Sequence, residues 1–184
     1  MIRTFIAVEI PDSIRVNIGK FQDKLREHRA DVKWVRPGGI HITLKFLGNV
    51  EEGRIEEVVH AVRGAVNGLE SFVVALEGTG TFPNERRPRV LWVGVEKGSE
   101  NLVDLATRIE EELSGLGFPK EKRRFSAHLT IGRVRSPRRI EATVQAMHSI
   151  GFEGEGFEVG EVVVMKSDLT PTGAVYTALG KIKL

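Results

Sequence analysis

Residues 41–44 read HITL and residues 128–131 read HLTI, so two of the five histidines in the chain open nearly the same tetrapeptide. Side chains alternate along a strand. His41 and Thr43 therefore share one face while Ile40, Ile42, Leu44 and Phe46 share the other, which reads as core. The second copy repeats the pattern, with His128 and Thr130 opposite Ala127, Leu129 and Ile131. Each copy is followed by a helical stretch and then another strand, near 71 and near 157, which predicts two related halves.

The chain around these tetrapeptides alternates strands and helices. Apolar spacing predicts a helix capped by Asp12 through Ile14, Ile18, Phe21 and Leu25, and a second after Asn49 carrying Ile55, Val58, Val59, Val62 and Val66. A third begins near Ser99 and stops at the turn-rich GLGFP. A fourth runs to Met147, with Ser136 and Pro137 as its N-cap and first residue. Strands are expected over 2–10, 33–35, 40–47, 71–77, 89–95, 125–133, 157–167 and 173–182. With 184 residues and 41% apolar content, residues 1–184 can form a single two-lobed domain with a proper core.

Composition excludes several classes. The chain has no cysteine, so disulfides and thiolate metal sites are ruled out and a cytoplasmic location is expected. Glu9 interrupts the apolar N-terminal run, which reads as a strand and not a signal peptide. No apolar run nears the roughly 20 residues of a membrane span. No heptad pattern demands a partner, and a monomer is expected. The net charge of +2 conceals an asymmetry. Between Pro119 and Arg139 lie Lys120, Lys122, Arg123, Arg124, Arg133, Arg135, Arg138 and Arg139 against Glu121 alone. This segment surrounds the second tetrapeptide and reads either as a solvated face or as a seat for a polyanion, of which a phosphate backbone is the commonest.

Two His-x-Thr pairs suit phosphodiester chemistry without a metal. Imidazole titrates near 6.5, so one ring can serve as base while its counterpart is a protonated acid. A threonine hydroxyl beside each can donate to a phosphoryl oxygen as charge builds there. Neither motif has a second histidine or a carboxylate at helical spacing for a metal. There is no GxSxG elbow, and GTGTFP lacks the GK[ST] of a phosphate-binding loop. Lys45-Phe-Leu-Gly48 has leucine where the KxDG of ATP-dependent ligases has aspartate. No cofactor is expected. His28, His60 and His148 read as surface residues.

Together, RTFIAVEIP (3–11), WVRPGGIHITLKFLG (34–48), GTFPNERRPRVLWVGV (80–95), FSAHLTIGRVR (125–135) and SDLTPTGAVYTAL (167–179) resemble the 2H phosphoesterase superfamily. The branch they resemble is that of the RNA 2′,3′-cyclic phosphodiesterases, also called 2′-5′ RNA ligases. The resemblance implies an α+β fold of two pseudo-symmetric lobes, with mostly antiparallel sheets flanking a central cleft and helices outside. It implies that His128 activates a water, that His41 protonates the departing 3′ oxygen, and that Thr43 and Thr130 hold the non-bridging oxygens. The substrate would be RNA with a 2′,3′-cyclic phosphate end, tRNA halves included, and replacing water by a 5′-hydroxyl would give 2′-5′ ligation.

The pattern HxTxxR makes Arg133 a phosphate or RNA contact, although strict alternation puts it opposite His128; Gly132 could permit the bulge that brings it round. Arg135 would follow the RNA backbone more loosely. Tyr176 and Trp34 read as cleft-lining or packing residues. The sequence departs from its relatives at Gly38-Gly39, ahead of His41. Two other readings stay open: an RNA-binding protein whose catalysis is incidental, and a cyclic phosphodiesterase acting on a small nucleotide.

Overall fold

The computed structural model describes residues 1–154, 156–171 and 173–184. Among these, ten strands and four helices follow one another as β1 (Ile2–Glu9), α1 (Asp12–Arg26), β2 (Val32–Trp34), β3 (His41–Val50), α2 (Ile55–Val66), β4 (Phe72–Val74), β5 (Leu76–Phe82), β6 (Val90–Val95), α3 (Ser99–Gly115), β7 (His128–Val134), α4 (Ile140–Ile150), β8 (Phe157–Val159), β9 (Glu161–Thr170) and β10 (Gly173–Lys183). The pairing of these strands is antiparallel, and the fold is α+β.

One lobe carries strands in the order β10-β9-β1-β3, the other β7-β6-β5 with β2 also on β7. The lobes meet where β3 and β7 pair through Ile42 and Leu129. Both residues are fully buried, so the seam is anchored in the core. Helices α2 and α3 pack together behind β10 and β3, and α1 and α4 lie against each other, with α4 on β5. Their buried faces, such as Ile14, Ile18, Phe21 and Leu25 of α1 or Leu102, Leu105 and Ile109 of α3, are the stripes that apolar spacing predicts.

Three expectations are corrected. The stretches 71–77 and 157–167 each divide into a short strand and a longer one, and the short ones, β4 and β8, pair with each other as a separate ribbon. Helix α4 begins at Ile140 and not at Pro137, because Arg139 takes a left-handed backbone (φ 56°) that no helix can continue through. The third concerns Phe46, which is 53% exposed and not core. In the pairing of β1 with β3, Ala7 faces Thr43 but Ile6 faces Lys45, so Leu44 is an extra residue. This bulge buries Leu44 and Lys45 consecutively and turns Phe46 to the face that carries His41.

The same event occurs in β7. Trp92 faces Thr130 but Leu91 faces Gly132, which leaves Ile131 as the extra residue. Ile131 and Gly132 are both buried, and Arg133 comes round to the face of His128 and Thr130. A Cβ on Gly132 would stand 2.7 Å from Val32 Cγ1 and 3.2 Å from Trp34, so only glycine fits under β2 here. Gln22, buried on α1, donates from Nε2 to the Ile131 and Val35 carbonyls at 2.8 Å each and so fixes the bulge from behind.

Candidate active site

Because Ile42 and Leu129 point into the core, their neighbours on both strands point out of it. The antiparallel register through that pair runs His41 toward Thr130 and Thr43 toward His128. The four residues are half-buried. The geometry brings the two tetrapeptides to one place, each histidine facing the other strand's threonine.

Both rings are held alike. His128 Nδ1 donates to the Ser126 carbonyl at 2.7 Å, two residues back, and His41 has a hydrogen bond to the backbone of Gly39, again two residues back. Fixing one ring nitrogen in this way leaves the other directed outward. Aromatic rings flank each imidazole. Phe5 stacks on His41 with centroids 4.8 Å apart and Tyr176 meets it edge-on at 5.0 Å. Phe82 meets His128 edge-on at 4.9 Å, with Trp92 at 6.4 Å. The ring of Tyr176 passes close to Gly39, where a Cβ would lie in ordinary contact with it at 3.4 Å.

Desolvation by these surroundings lowers the His41 pKa from 6.5 to about 4, helped by the Arg15 guanidinium and opposed by the Gly39 hydrogen bond and Glu9. Burial lowers that of His128 too, with Arg133 acting in the same direction. Both rings are therefore neutral near pH 7. Tyr176 is pushed up by burial, and the opposing field of Arg133 and Arg3 reaches it from the other lobe and from β1.

Among the residues expected from sequence, His41, Thr43, His128, Thr130, Arg133 and Tyr176 converge on this cleft. Arg135 lies just beyond β7, exposed, with its N–H on the Asp31 carbonyl at 2.9 Å. Trp34 packs on the core beneath Arg26, whose guanidinium lies 5.6 Å from the ring. His28 is half-buried just past α1, His60 is exposed, and exposed His148 sits 2.8 Å from Glu85. Sequence reasoning missed Phe5, Phe46, Phe82, Trp92, Arg3 and Arg15. A signal for Phe46 was present: it stands five residues after His41, as Arg133 stands five after His128. Among the described residues no three His, Cys, Asp or Glu side chains come together as a metal site.

The model of the LigT-like phosphoesterases matches the chain twice, over residues 8–92 and 93–176, with one His-x-Thr in each match. The chain belongs to this family. A Methanothermobacter thermautotrophicus protein named RNA 2′,3′-cyclic phosphodiesterase is 36% identical over 184 residues, covering 100% of this chain and 99% of its own. A Thermotoga maritima protein of the same name is 34% identical, covering 96% and 92%. The crystal structure of a Thermus thermophilus protein superposes with a TM-score of 0.84 at 30% identity, covering 99% of this chain and 97% of that one. Escherichia coli LigT, crystallised with 3′-AMP, shares the fold at a TM-score of 0.78 and 22% identity, covering 100% and 98%. As a LigT-like phosphoesterase, the chain is a hydrolase. No helix among the described residues is long and apolar enough to cross a membrane.

Proposed function

We propose that this LigT-like phosphoesterase hydrolyses the 2′,3′-cyclic phosphate at the end of an RNA strand to a 2′-phosphate, without a metal. The observation that carries the reading is the meeting of two His-x-Thr pairs, one from each matched half, across the Ile42–Leu129 seam. The cyclic phosphate lies between the histidines. His128 takes a proton from water as its oxygen bonds to phosphorus, the P–O3′ bond breaks, and His41 delivers a proton to O3′. Thr43 and Thr130 donate to the non-bridging oxygens, Arg133 offsets their charge, and Tyr176 bounds the ribose side. For His41 to act as acid its low pKa must rise on binding, which an anionic phosphate beside the ring achieves.

The natural substrates are RNA fragments with cyclic ends, tRNA halves among them. Residues 1–184 act as one two-lobed monomeric unit, since both lobes contribute to the cleft. Arg135 follows the RNA backbone outside the cleft. A 5′-hydroxyl in place of water gives a 2′-5′ linkage, with the strained ring in place of ATP as energy source, as a secondary activity. The test is incubation in excess EDTA with an oligoribonucleotide ending in a cyclic phosphate, followed by mapping of the terminal phosphate. Conversion to a 2′-phosphate is expected. Turnover that returns only with a divalent metal contradicts the mechanism, and a cyclic end that survives on bound RNA favours a binding protein instead.

A further inference from the structure

Beside His128 lies a recess of about 570 Å³ that the hydrolysis leaves unused. Its size falls within the range of about 300–1,000 Å³ usual for small-ligand sites. Gly94 lines it and pairs directly with His128 across β6 and β7, so β6 contributes no side chain to the space next to the imidazole. Trp92 is one wall. Its indole lies against Gly80, where a Cβ would come within 2.3 Å of the ring, and its centroid is 6.4 Å from that of His128. Ser126, whose carbonyl holds His128 Nδ1 at 2.7 Å, is another wall, and Val103 of α3 closes the recess from the helix side. The remaining polar groups are the exposed Glu77, Glu96 and Arg124. Glu77 and Glu96 share a hydrogen bond that raises the Glu77 pKa, and their mutual repulsion acts in the same direction.

The place of this recess in the reaction decides what it can hold. In an in-line displacement the entering and departing oxygens stand at opposite ends of the phosphorus. With His128 as base and His41 as acid, the reacting ribose lies toward His41 and Tyr176, and the entering oxygen comes from the His128 end. A water molecule takes up about 30 Å³. The space beside the base exceeds that many times over, on the side away from the ribose of the substrate.

Resting on the proposed action on RNA ends, we infer that this recess is an acceptor subsite, which holds the nucleoside whose 5′-hydroxyl replaces water. The base of that nucleoside lies on Trp92, Glu77 and Glu96 accept from its N–H groups, and Arg124 faces the 3′-phosphate through which the acceptor strand continues. The 6.4 Å from indole to imidazole is a separation that one ribose spans. The 5′ oxygen bonds to phosphorus as its proton passes to His128, the P–O3′ bond breaks, and O3′ takes the proton of His41. Phosphorus keeps its bond to O2′, so the product is a 2′-5′ linkage and no further reactant is consumed.

The test reads binding and product partition separately. Trp34→Phe leaves Trp92 as the one indole of the chain, and adenosine is titrated into that variant with cytidine 2′-monophosphate held at saturation. A saturable change in fluorescence is expected, and adding Val103→Phe, which fills the recess from α3, should weaken adenosine about tenfold or more. Arg124→Gln, at an exposed position, should weaken adenosine 3′-monophosphate and spare adenosine. Displacement of adenosine by cytidine 2′-monophosphate, or affinities that neither substitution alters, overturns the inference. With a cyclic-phosphate RNA end and excess 5′-hydroxyl oligonucleotide, Val103→Phe is expected to lower the ratio of ligated to hydrolysed product about tenfold while hydrolysis keeps its wild-type rate. An unchanged ratio, or hydrolysis with no ligated product at any acceptor concentration, contradicts the acceptor role. A wild-type protein that binds adenosine in this way yet turns over no cyclic end refutes the proposed activity and leaves the nucleoside site standing.

Discussion

Lys45 and Glu110 form an ion pair, 2.9 Å between Nζ and Oε2, in which the Lys45 side chain is only 1% exposed and that of Glu110 is 20% exposed. An ammonium so enclosed is tolerated because a carboxylate and the Pro119 carbonyl both meet it. Glu110→Ala leaves that charge unpaired and is expected to cost about 3–5 kcal/mol of stability, read from the denaturant midpoint. Lys45→Met, which removes the charge along with its partner's need for it, is expected to cost less. Equal losses would mean that the pair matters only as packing.

Gly132 is expected to resist even a methyl group. Gly132→Ala drives a Cβ to 2.7 Å from Val32 Cγ1 and presses β2 outward, for a loss of about 1–3 kcal/mol by overpacking. Since Arg133 follows directly, RNA affinity should fall as well. Gly38→Ala, where a Cβ meets nothing within 4 Å, serves as the contrast and should leave stability nearly unchanged.

The lowered pKa of His41 links stability to pH. Above about 6.5 the ring is neutral in both folded and unfolded chains and contributes no pH dependence. Between 6.5 and about 4 the unfolded chain binds a proton that the folded protein refuses, so stability falls as pH falls, by up to about 3 kcal/mol in all. His128 adds to the same trend. Unfolding of His41→Gln over pH 4 to 7.5 should show a shallower slope than the wild type.

Binding of phosphate should take up a proton. Both imidazoles are neutral in the free protein near pH 7, whereas the reaction needs one of them charged. Titration calorimetry of inorganic phosphate in buffers of different ionisation enthalpy, corrected for the ligand's own ionisation near neutral pH, is expected to report net uptake at pH 7, and uptake should vanish in a variant lacking both histidines. Binding with no proton exchange in the wild type would remove the acid from the mechanism.

Local pattern made much of this legible and tertiary contact hid the rest. Period-two alternation set His41 with Thr43 and His128 with Thr130, because no bulge intervenes between either histidine and its threonine. Just after each threonine alternation fails. Gly132 hinted at the second bulge, while Leu44-Lys45 carries no such mark, so Phe46 was read as core. Lys45 looks like a surface residue in sequence, since its partner Glu110 lies 65 positions away. Phe5, Phe82 and Trp92 sit on strands rich in other apolar residues, and only the fold reveals which of them face a histidine. The N-terminus of α4 misled for a simpler reason: Ser136-Pro137 is a good cap pair, and the left-handed Arg139 has no signature.

The measurement that bears most directly on the central claim is turnover of a cyclic-phosphate RNA end by His41→Ala and His128→Ala, each compared with wild type in EDTA and each checked for retained RNA binding. If the two rings share one phosphate as base and acid, each substitution alone should cut the rate by about 10²–10⁴ while RNA stays bound. Near-wild-type turnover by either variant would show that the two histidines do not act as a pair.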